Sequence, residues 1–535
     1  MSEEVAVKQH KYMTLLIILY FIIFALIVLH DPDKAEDAAY LNNRIAQVQY
    51  NLSHGFDITF YFDDFVHTGY GTSFYYGGLT LIPFALLPIE AGFNLYILVS
   101  RFLVLFGLYK LVKTFIKDNS KAQFCTFVIA TSEYFIFSMT LISLFPNYMG
   151  LGLSYFCLAY AIEFFRDKKQ SSGYIMCLFY FLTMNTHSIS AFLTAIGLII
   201  ICLWYFDKKQ IKKYALMLLL ALSMIAYNVA NILYHSDTFT AETRHDINVR
   251  LIQDSDGLTF GNVFFGRLLG LFGLGDFNTY PPFDLILLTF TIIIIIKKRK
   301  ELKEKLTKKH IVLFSVIFVS LIIGEHHIWS ALLQKIDIFF QFPTRYGNYI
   351  LPLIIIFVFR EADIKIEKIY KIIVLIVMCT FYLYSLFAIK HEDYFGMYKQ
   401  YIVNGEYLVD FDWNYEKFEK NRQRVLSLAD DKEIPYEYYK DGVLVEYQGD
   451  KTTLQIPKLY YRGYIAEDLD NNNERFEVKM GYSQWINIDI NDNNHHKLFI
   501  HYKHPLFLTI LRYLAFVSVL STIFLLVRTK VHRKT

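Results

Sequence analysis

The chain has 535 residues, 54% of them hydrophobic and 18% aromatic, and the apolar residues recur in runs from end to end. A content this apolar excludes an ordinary soluble globular protein, and a formal net charge of only +3 gives no footing for a binder of nucleic acid or of acidic substrates. The five cysteines, Cys125, Cys157, Cys177, Cys202 and Cys379, lie in apolar segments with no CxxC pair and no histidine at ligand spacing, so they read as small core hydrophobes.

Lys8 and Lys11 precede an apolar run over 12–30 that is long for a signal peptide and has no small-x-small cleavage site after it, so it reads as a retained first span. A bilayer crossing takes ~20 apolar residues. On that ruler further spans are expected at 91–113, 122–144, 149–166, 172–186, 188–206, 213–234, 283–296, 310–325, 346–360, 369–389 and 505–527. About twelve spans is an even number, which puts both termini on one side.

Basic residues choose that side. Lys110, Lys113, Lys117 and Lys121, then Lys208, Lys209, Lys212 and Lys213, then the run from Lys297 to Lys309, all fall in connections of one parity. Arg360, Lys365, Lys368 and Lys371, and finally Arg528, Lys530, Arg533 and Lys534, continue the alternation. The opposite connections are poor in Lys and Arg, so the termini are expected in the cytoplasm.

The stretch 74–89 is apolar but carries Gly77, Gly78, Pro83 and Pro88, and counting it as a span would invert every later loop. It is expected to be a re-entrant or interfacial helix on the outer side. Segment 390–504 turns polar, with a helix expected around Tyr415–Ala429 followed by short alternating runs at Gly442–Tyr447, Phe476–Val478, Trp485–Asp489 and Lys497–Tyr502. Asn- and Asp-rich turns separate these runs, the pattern of a small β sandwich. The expected fold class is therefore a mainly α polytopic membrane protein over 1–389, a small extracytoplasmic β-rich domain over 390–504, and a last span with a basic tail over 505–535.

Chemistry is expected on the outer face. Asp31, Asp33, Glu36 and Asp37 follow the first span directly, and Arg44 lies about two helical turns beyond Asp37. A carboxylate at the membrane rim can act as a general base, although the same acids also serve simply to solvate a helix N-terminus. On the same face His187 occupies the turn between two spans, and Glu325, His326 and His327 open the loop leading to Gln341 and Arg345. Ionisable groups at membrane depth are expensive and mark sites, whereas a turn histidine or a rim arginine is more commonly a cap or an anchor. The glycines of 235–282 suit an interfacial helix over a cleft, and no Walker, GxSxG or HExxH motif is present.

Asp37 with Arg44-Ile45, then Gly69-Tyr70-Gly71, Phe74-Tyr75 and the run ending Ala85-Leu86-Leu87 resemble, in order, the first outer loop of YfhO-like bacterial membrane proteins, a family of the GT-C glycosyltransferase class. Thr186-His187, Ile328-Trp329, the stretch Phe340 to Arg345, Gly405-Glu406-Tyr407-Leu408, Tyr460, Gly463-Tyr464 and Val478 resemble its later motifs. The chain departs from the pattern at Leu41, where a His is expected, at His327 in place of a Pro, and at Thr344 in place of a Trp.

The resemblance implies an inverting transferase that takes a sugar from a polyprenyl-phosphate carrier and delivers it, outside a bacterial plasma membrane, to a cell-surface glycan or polymer such as a teichoic acid. In this reading Asp37, with Glu36, is the base; Arg44, His187, Arg345, His326 and Gln341 hold the donor phosphate and substrate. No cofactor is required by any motif, the acidic loop leaves a divalent cation open, and the remaining partner is membrane lipid, not nucleic acid. A lipid-linked saccharide flippase and a surface-polysaccharide polymerase or ligase fit the same residues, whereas a glycan-binding module built on 390–504 leaves the acidic first loop unexplained.

Overall fold

The computed structural model describes residues 38–58, 77–130, 145–236, 424–439, 442–481 and 485–531, with positions 296, 300, 349, 352, 353, 355, 356, 359 and 360. Helix α1 (Ala38–His54) presents Leu41, Ile45 and Val48 on one stripe, all fully buried against Leu81, Phe84, Phe93, Tyr96 and Met149. After it come a single 3-10 turn, Leu79–Leu81, and a one-turn helix α2 (Ile82–Ala85) with Pro83 in its first turn. Pro fits there because its missing N–H would be unpaired anyway. Pro88 is extended (φ −52°, ψ 139°) and opens the next helix, so this apolar stretch is broken into turns too short to cross a bilayer.

Helices α3 (Ile89–Phe115), α4 (Asn119–Ala130), α5 (Phe145–Asp167), α6 (Gln170–Met184), α7 (Ser188–Trp204) and α8 (Ile211–Ser236) follow, and α9 (Leu506–Val531) closes the chain. They fall where spans were expected at 91–113, 149–166, 172–186, 188–206, 213–234 and 505–527, while α4 covers the start of 122–144. Among the described residues four helices, Ile89–Phe115, Pro146–Asp167, Lys208–His235 and Leu506–Thr529, are long and apolar enough to cross a membrane. The chain is thus a mainly helical membrane protein with a C-terminal β region. The spans expected at 12–30, 283–296, 310–325, 346–360 and 369–389, the second half of 122–144 and the glycine-rich stretch 235–282 lie outside the described residues apart from isolated positions.

Packing shows why the helices stay together. Helix α3 lies on α5 where Gly107 faces Gly152: a Cβ on Gly107 would stand 2.5 Å from the Gly152 carbonyl oxygen. Around this contact Val104, Leu108, Leu111, Leu151, Tyr155 and Leu158 form a core shared with Phe124 and Val128 of α4 and with Ile355, Ile356 and Phe359. A second core joins α5, α6 and α8 through Phe164, Tyr174, Cys177, Met217 and Met224, and α9 leans on it with Val519 and Leu525. The other side of α9 stays exposed, with Phe516 at 60% and Phe524 at 65%, a face that only an apolar medium would tolerate in such density.

The helix ends differ in chemistry. At one end Lys110 Nζ contacts Glu163 Oε1 at 2.5 Å, Arg166 Nη1 donates to Thr114 O at 2.8 Å and Lys168 meets Asp207 at 3.6 Å. At the other end lie His187, Arg44 and the β region.

The described residues of that region form two five-stranded sheets, in the orders β2-β1-β5-β9-β8 and β3-β4-β10-β6-β7. The strands are β1 (Val425–Ser427), β2 (Lys432–Ile434), β3 (Tyr436–Tyr439), β4 (Gly442–Gln448), β5 (Thr452–Leu459), β6 (Tyr464–Asp468), β7 (Glu474–Phe476), β8 (Val478–Met480), β9 (Trp485–Ile490) and β10 (His495–Tyr502). Inward residues of both sheets, Leu454, Ile456, Ile486 and Ile488 from one and Val443, Val445, Leu498 and Ile500 from the other, share one core. The expected helix at Tyr415–Ala429 does not extend to its end: Val425–Ser427 is a strand, since pairing with β2 and β5 outweighs local helical preference. The run Phe476–Val478 is likewise two strands, because the chain changes sheets at Glu477, β7 pairing with β6 and β8 with β9.

Buried Asp468 ties two turns of this region together. Its Oδ1 accepts from the N–H groups of Asp470 and Lys497, each at 3.1 Å. Its Oδ2 accepts from Asn471 Nδ2 and lies against His496 Nδ1, each at 2.7 Å. His496 Nε2 faces Asp492 Oδ1 at 2.8 Å, so both ring nitrogens meet carboxylates, which suits an imidazolium. Burial opposes that charge, but the hydrogen bonds to Asp468 and Asp492 outweigh it and raise His496 above its usual 6.5. Burial likewise works against ionised Asp468, yet its hydrogen bonds from His496, Asn471 and the backbone hold it below its usual 3.8.

A raised histidine contributes fully below about 6.5 and loses its contribution as pH rises through the folded value, while a lowered aspartate contributes above about 3.8 and loses it as pH falls. His496→Gln in the full chain should therefore raise hydrogen exchange in β6 and β10 more at pH 6 than at pH 9. Equal effects at both pH values would remove the charge from this account.

Candidate functional site

Arg44 sits on the buried stripe of α1, one turn from Leu41 and Val48 and beside Ile45, and is only 1% exposed. A guanidinium enters such a stripe only with partners. Its Nη2 points to the carbonyl oxygen of Gly77 at 3.5 Å. Helix α1 is held in place by Gln49, whose Nε2 donates to Ala85 O at 3.1 Å and Leu87 O at 2.8 Å. Leu41, which stands where the resemblance calls for a His, is part of this core.

Gly77 joins Arg44 to the turn between α6 and α7. A Cβ there would stand 2.9 Å from both the backbone and side-chain oxygens of Asn185, so only glycine lets the two strands of chain approach. Thr80 Oγ1 donates to Asn185 O at 3.3 Å and accepts from Thr186 Oγ1 at 3.3 Å. Asn185 and Asn228 exchange side-chain hydrogen bonds at 3.4 and 3.3 Å, which brings α8 to the same seam.

His187 is the N-cap of α7, extended at φ −155° and ψ 108°. Its Nδ1 accepts from the Ser190 backbone N–H at 3.1 Å and lies 2.8 Å from Ser190 Oγ, which in turn donates to Asn147 Oδ1 at 3.2 Å. A ring nitrogen that accepts from the backbone carries no proton, so the hydrogen of this imidazole is on Nε2. His187 is thus a cap and, in this tautomer, a hydrogen-bond donor through Nε2; it suits holding an anion better than removing a proton. From Ser190 a line of hydroxyls descends between helices: Thr194 Oγ1 donates to Ser154 Oγ at 2.7 Å, and Tyr349 OH reaches Ser154 Oγ at 3.1 Å and Ser190 O at 3.3 Å.

Of the residues chosen from sequence, Arg44 and His187 come together on this seam at one end of the helices. Asp37, Glu36, His326, Gln341 and Arg345 lie outside the described residues, as do Asp31 and Asp33. Among the described residues no group of three or more His, Cys, Asp or Glu side chains is arranged to hold a metal ion. Sequence reasoning passed over Asn147, Thr80, Asn185, Asn228 and Tyr349; the signal available was a polar side chain interrupting, or ending, an apolar run. Comparison with protein-family models, curated proteins and solved structures finds no match to this chain.

Proposed function

We propose that the chain is a GT-C-type glycosyltransferase that moves a sugar from a polyprenyl-phosphate donor to an extracytoplasmic cell-surface acceptor such as a teichoic acid or polysaccharide. The observation that carries this reading is the seam at the helix end bearing the β region, where Arg44 reaches Gly77 and Gly77 packs on Asn185, two residues before the His187 cap. The acceptor hydroxyl attacks the anomeric carbon as the bond to the lipid phosphate oxygen breaks, the hydroxyl proton passes to Asp37 with Glu36 beside it, and the stereochemistry inverts. Arg44, His187 and Arg345, with His326 and Gln341, receive the charge that builds on the departing phosphate; a guanidinium suits this because its fork pairs two oxygens at once.

Tyr349, four residues after Arg345, supports the arrangement by bonding to the helix that His187 caps. The expected topology completes the reading: about twelve spans in a bacterial plasma membrane, with the basic helix end and both termini in the cytoplasm.

The test is transfer by the full chain in nanodiscs from a polyprenyl-phosphate sugar. Asp37→Asn is expected to cut transfer by ~10²- to 10⁴-fold, the usual worth of a general base, with membrane insertion unchanged. Near-normal transfer would remove Asp37 from that role. The hydroxyl line of Ser154, Ser190, Thr194 and Tyr349 favours one second reading, a lipid-linked saccharide flippase, which would show translocation in proteoliposomes with the glycosidic bond unbroken.

A further inference from the structure

We propose that Arg512, in the last helix, is a positioning residue that clamps the first outer segment through Asp57 and so sets where α1 and Arg44 stand. The proposal rests on the reading above in taking α1 as an element of the site. An arginine inside an apolar helix is costly, and α9 places Arg512 between the exposed apolar residues Ile510 and Tyr513 on its two sides. Such a residue is retained for a partner or snorkels to water as an anchor.

Arg512 has such partners. Arg512 Nη1 donates to Asp57 Oδ2 at 2.6 Å, and Nη2 donates to Tyr227 OH and to His504 Nε2, each at 3.0 Å. The guanidinium carbon also stands 4.9 Å from the centre of the Tyr227 ring. Because a guanidinium only donates, His504 Nε2 is an acceptor and the ring is neutral. Burial agrees, pushing His504 down to about 4 against the opposing pull of Asp57. The 3.5 Å approach of His504 Nε2 to Asp57 is therefore no ion pair, and the charge on Asp57 is met here by Arg512.

Asp57 in turn holds the end of α1. Asn51 Nδ2 donates to Asp57 O at 2.8 Å, and the N–H of Phe56 donates to Asn51 O at 2.8 Å. On the other side the β region is tied to the same place: Tyr502 OH lies 3.0 Å from His235 Nε2, and the Arg462 guanidinium carbon is 5.0 Å from the Tyr234 ring centre. The first segment, α8, the β region and α9 thus meet around one fork. A sugar donor bound at α1 would feel the loss of that fork as a misplaced Arg44, and small misplacements are expensive in transfer reactions.

The experiment uses the full chain in nanodiscs and reads backbone hydrogen exchange over 50–58 beside transfer kinetics. Arg512→Ala should speed exchange there by ~10-fold or more, the scale of a lost charged hydrogen bond. It should also lower kcat more than it raises KM for the donor. The milder Arg512→Lys keeps the charge and should lie between. The decisive variant is the exchange of charges, Asp57→Arg with Arg512→Asp, which should recover protection and transfer relative to either single change.

Unchanged exchange over 50–58 in Arg512→Ala, or a double variant no better than the singles, would overturn the clamp. Restored exchange without restored transfer would overturn the positioning role. Absence of transfer by the unaltered chain would instead overturn the glycosyltransferase reading, and the exchange measurements would still decide the clamp.

Discussion

Arg44→Met is expected to lower kcat/KM for sugar transfer by ~10²- to 10³-fold, the usual loss when one preorganised donor to a developing anion is removed. Methionine keeps a flexible apolar stem of similar reach, so the packing of α1 through Leu41, Ile45 and Val48 is left in place. What disappears is the guanidinium with, among its interactions, the 3.5 Å bond to Gly77 O, a long contact whose own worth to stability is on the order of 1 kcal/mol. Arg44→Lys restores charge but not the fork, and should recover only part of the activity.

The measurement is donor kinetics beside thermal unfolding of the same variant. If Arg44 serves only to pin Gly77, the loss of transfer will follow the loss of stability, and a reading in which it holds phosphate fails. If it holds phosphate, kcat/KM falls while the melting temperature moves little. Leu41 next to it in the stripe gives the control, because a truncation there acts on packing alone.

Gly152→Val should remove most folded protein from the membrane. A Cβ at Gly152 would stand 2.5 Å from the carbonyl carbon of Leu103 and 2.6 Å from the amide nitrogen of Val104, and neither backbone atom can swing aside as a side-chain tip could. Helices α3 and α5 would have to separate, and overpacking of a close-packed core costs ~1–3 kcal/mol or more. Small residues are what allow helix backbones to approach within a membrane, where water gives no hydrophobic drive.

Size-exclusion profiles of detergent-extracted protein would show the effect as loss of the monodisperse peak. Gly55→Val is the matched control: nothing lies within 4 Å of a Cβ at Gly55, although its φ of +69° carries a local cost. If Gly152→Val is no worse than that control, the contact at Gly107 and Gly152 is not what holds α3 to α5.

Much of the helical architecture was readable from the order of residues because each span is a local property. Twenty or so apolar residues in a row can satisfy every backbone group internally only as a helix, whatever their neighbours. Hence α3, α5, α8 and α9 lie where the apolar runs lie, and Pro88 marks the start of α3. The alternation of Val443, Val445 and Tyr447 announced β4 for the same local reason. Strand β1 did not announce itself, since three residues have no period and their state is settled by the strands beside them.

The site divides along the same line. Arg44 and His187 stand out in the sequence because charge and imidazole are costly beside apolar runs. That they share a seam depends on Gly77 meeting Asn185, and the tautomer of His187 depends on the Ser190 N–H. By itself the sequence determined a membrane protein of many apolar helices with a β-rich C-terminal part and a short list of candidate polar residues. Only the tertiary structure decided that Arg512 reaches back to Asp57 and that the chain passes from one sheet to the other at Glu477. The reason is physical: hydrophobic length and period are written in neighbouring residues, whereas a hydrogen bond between distant residues exists only once the chain has folded around it.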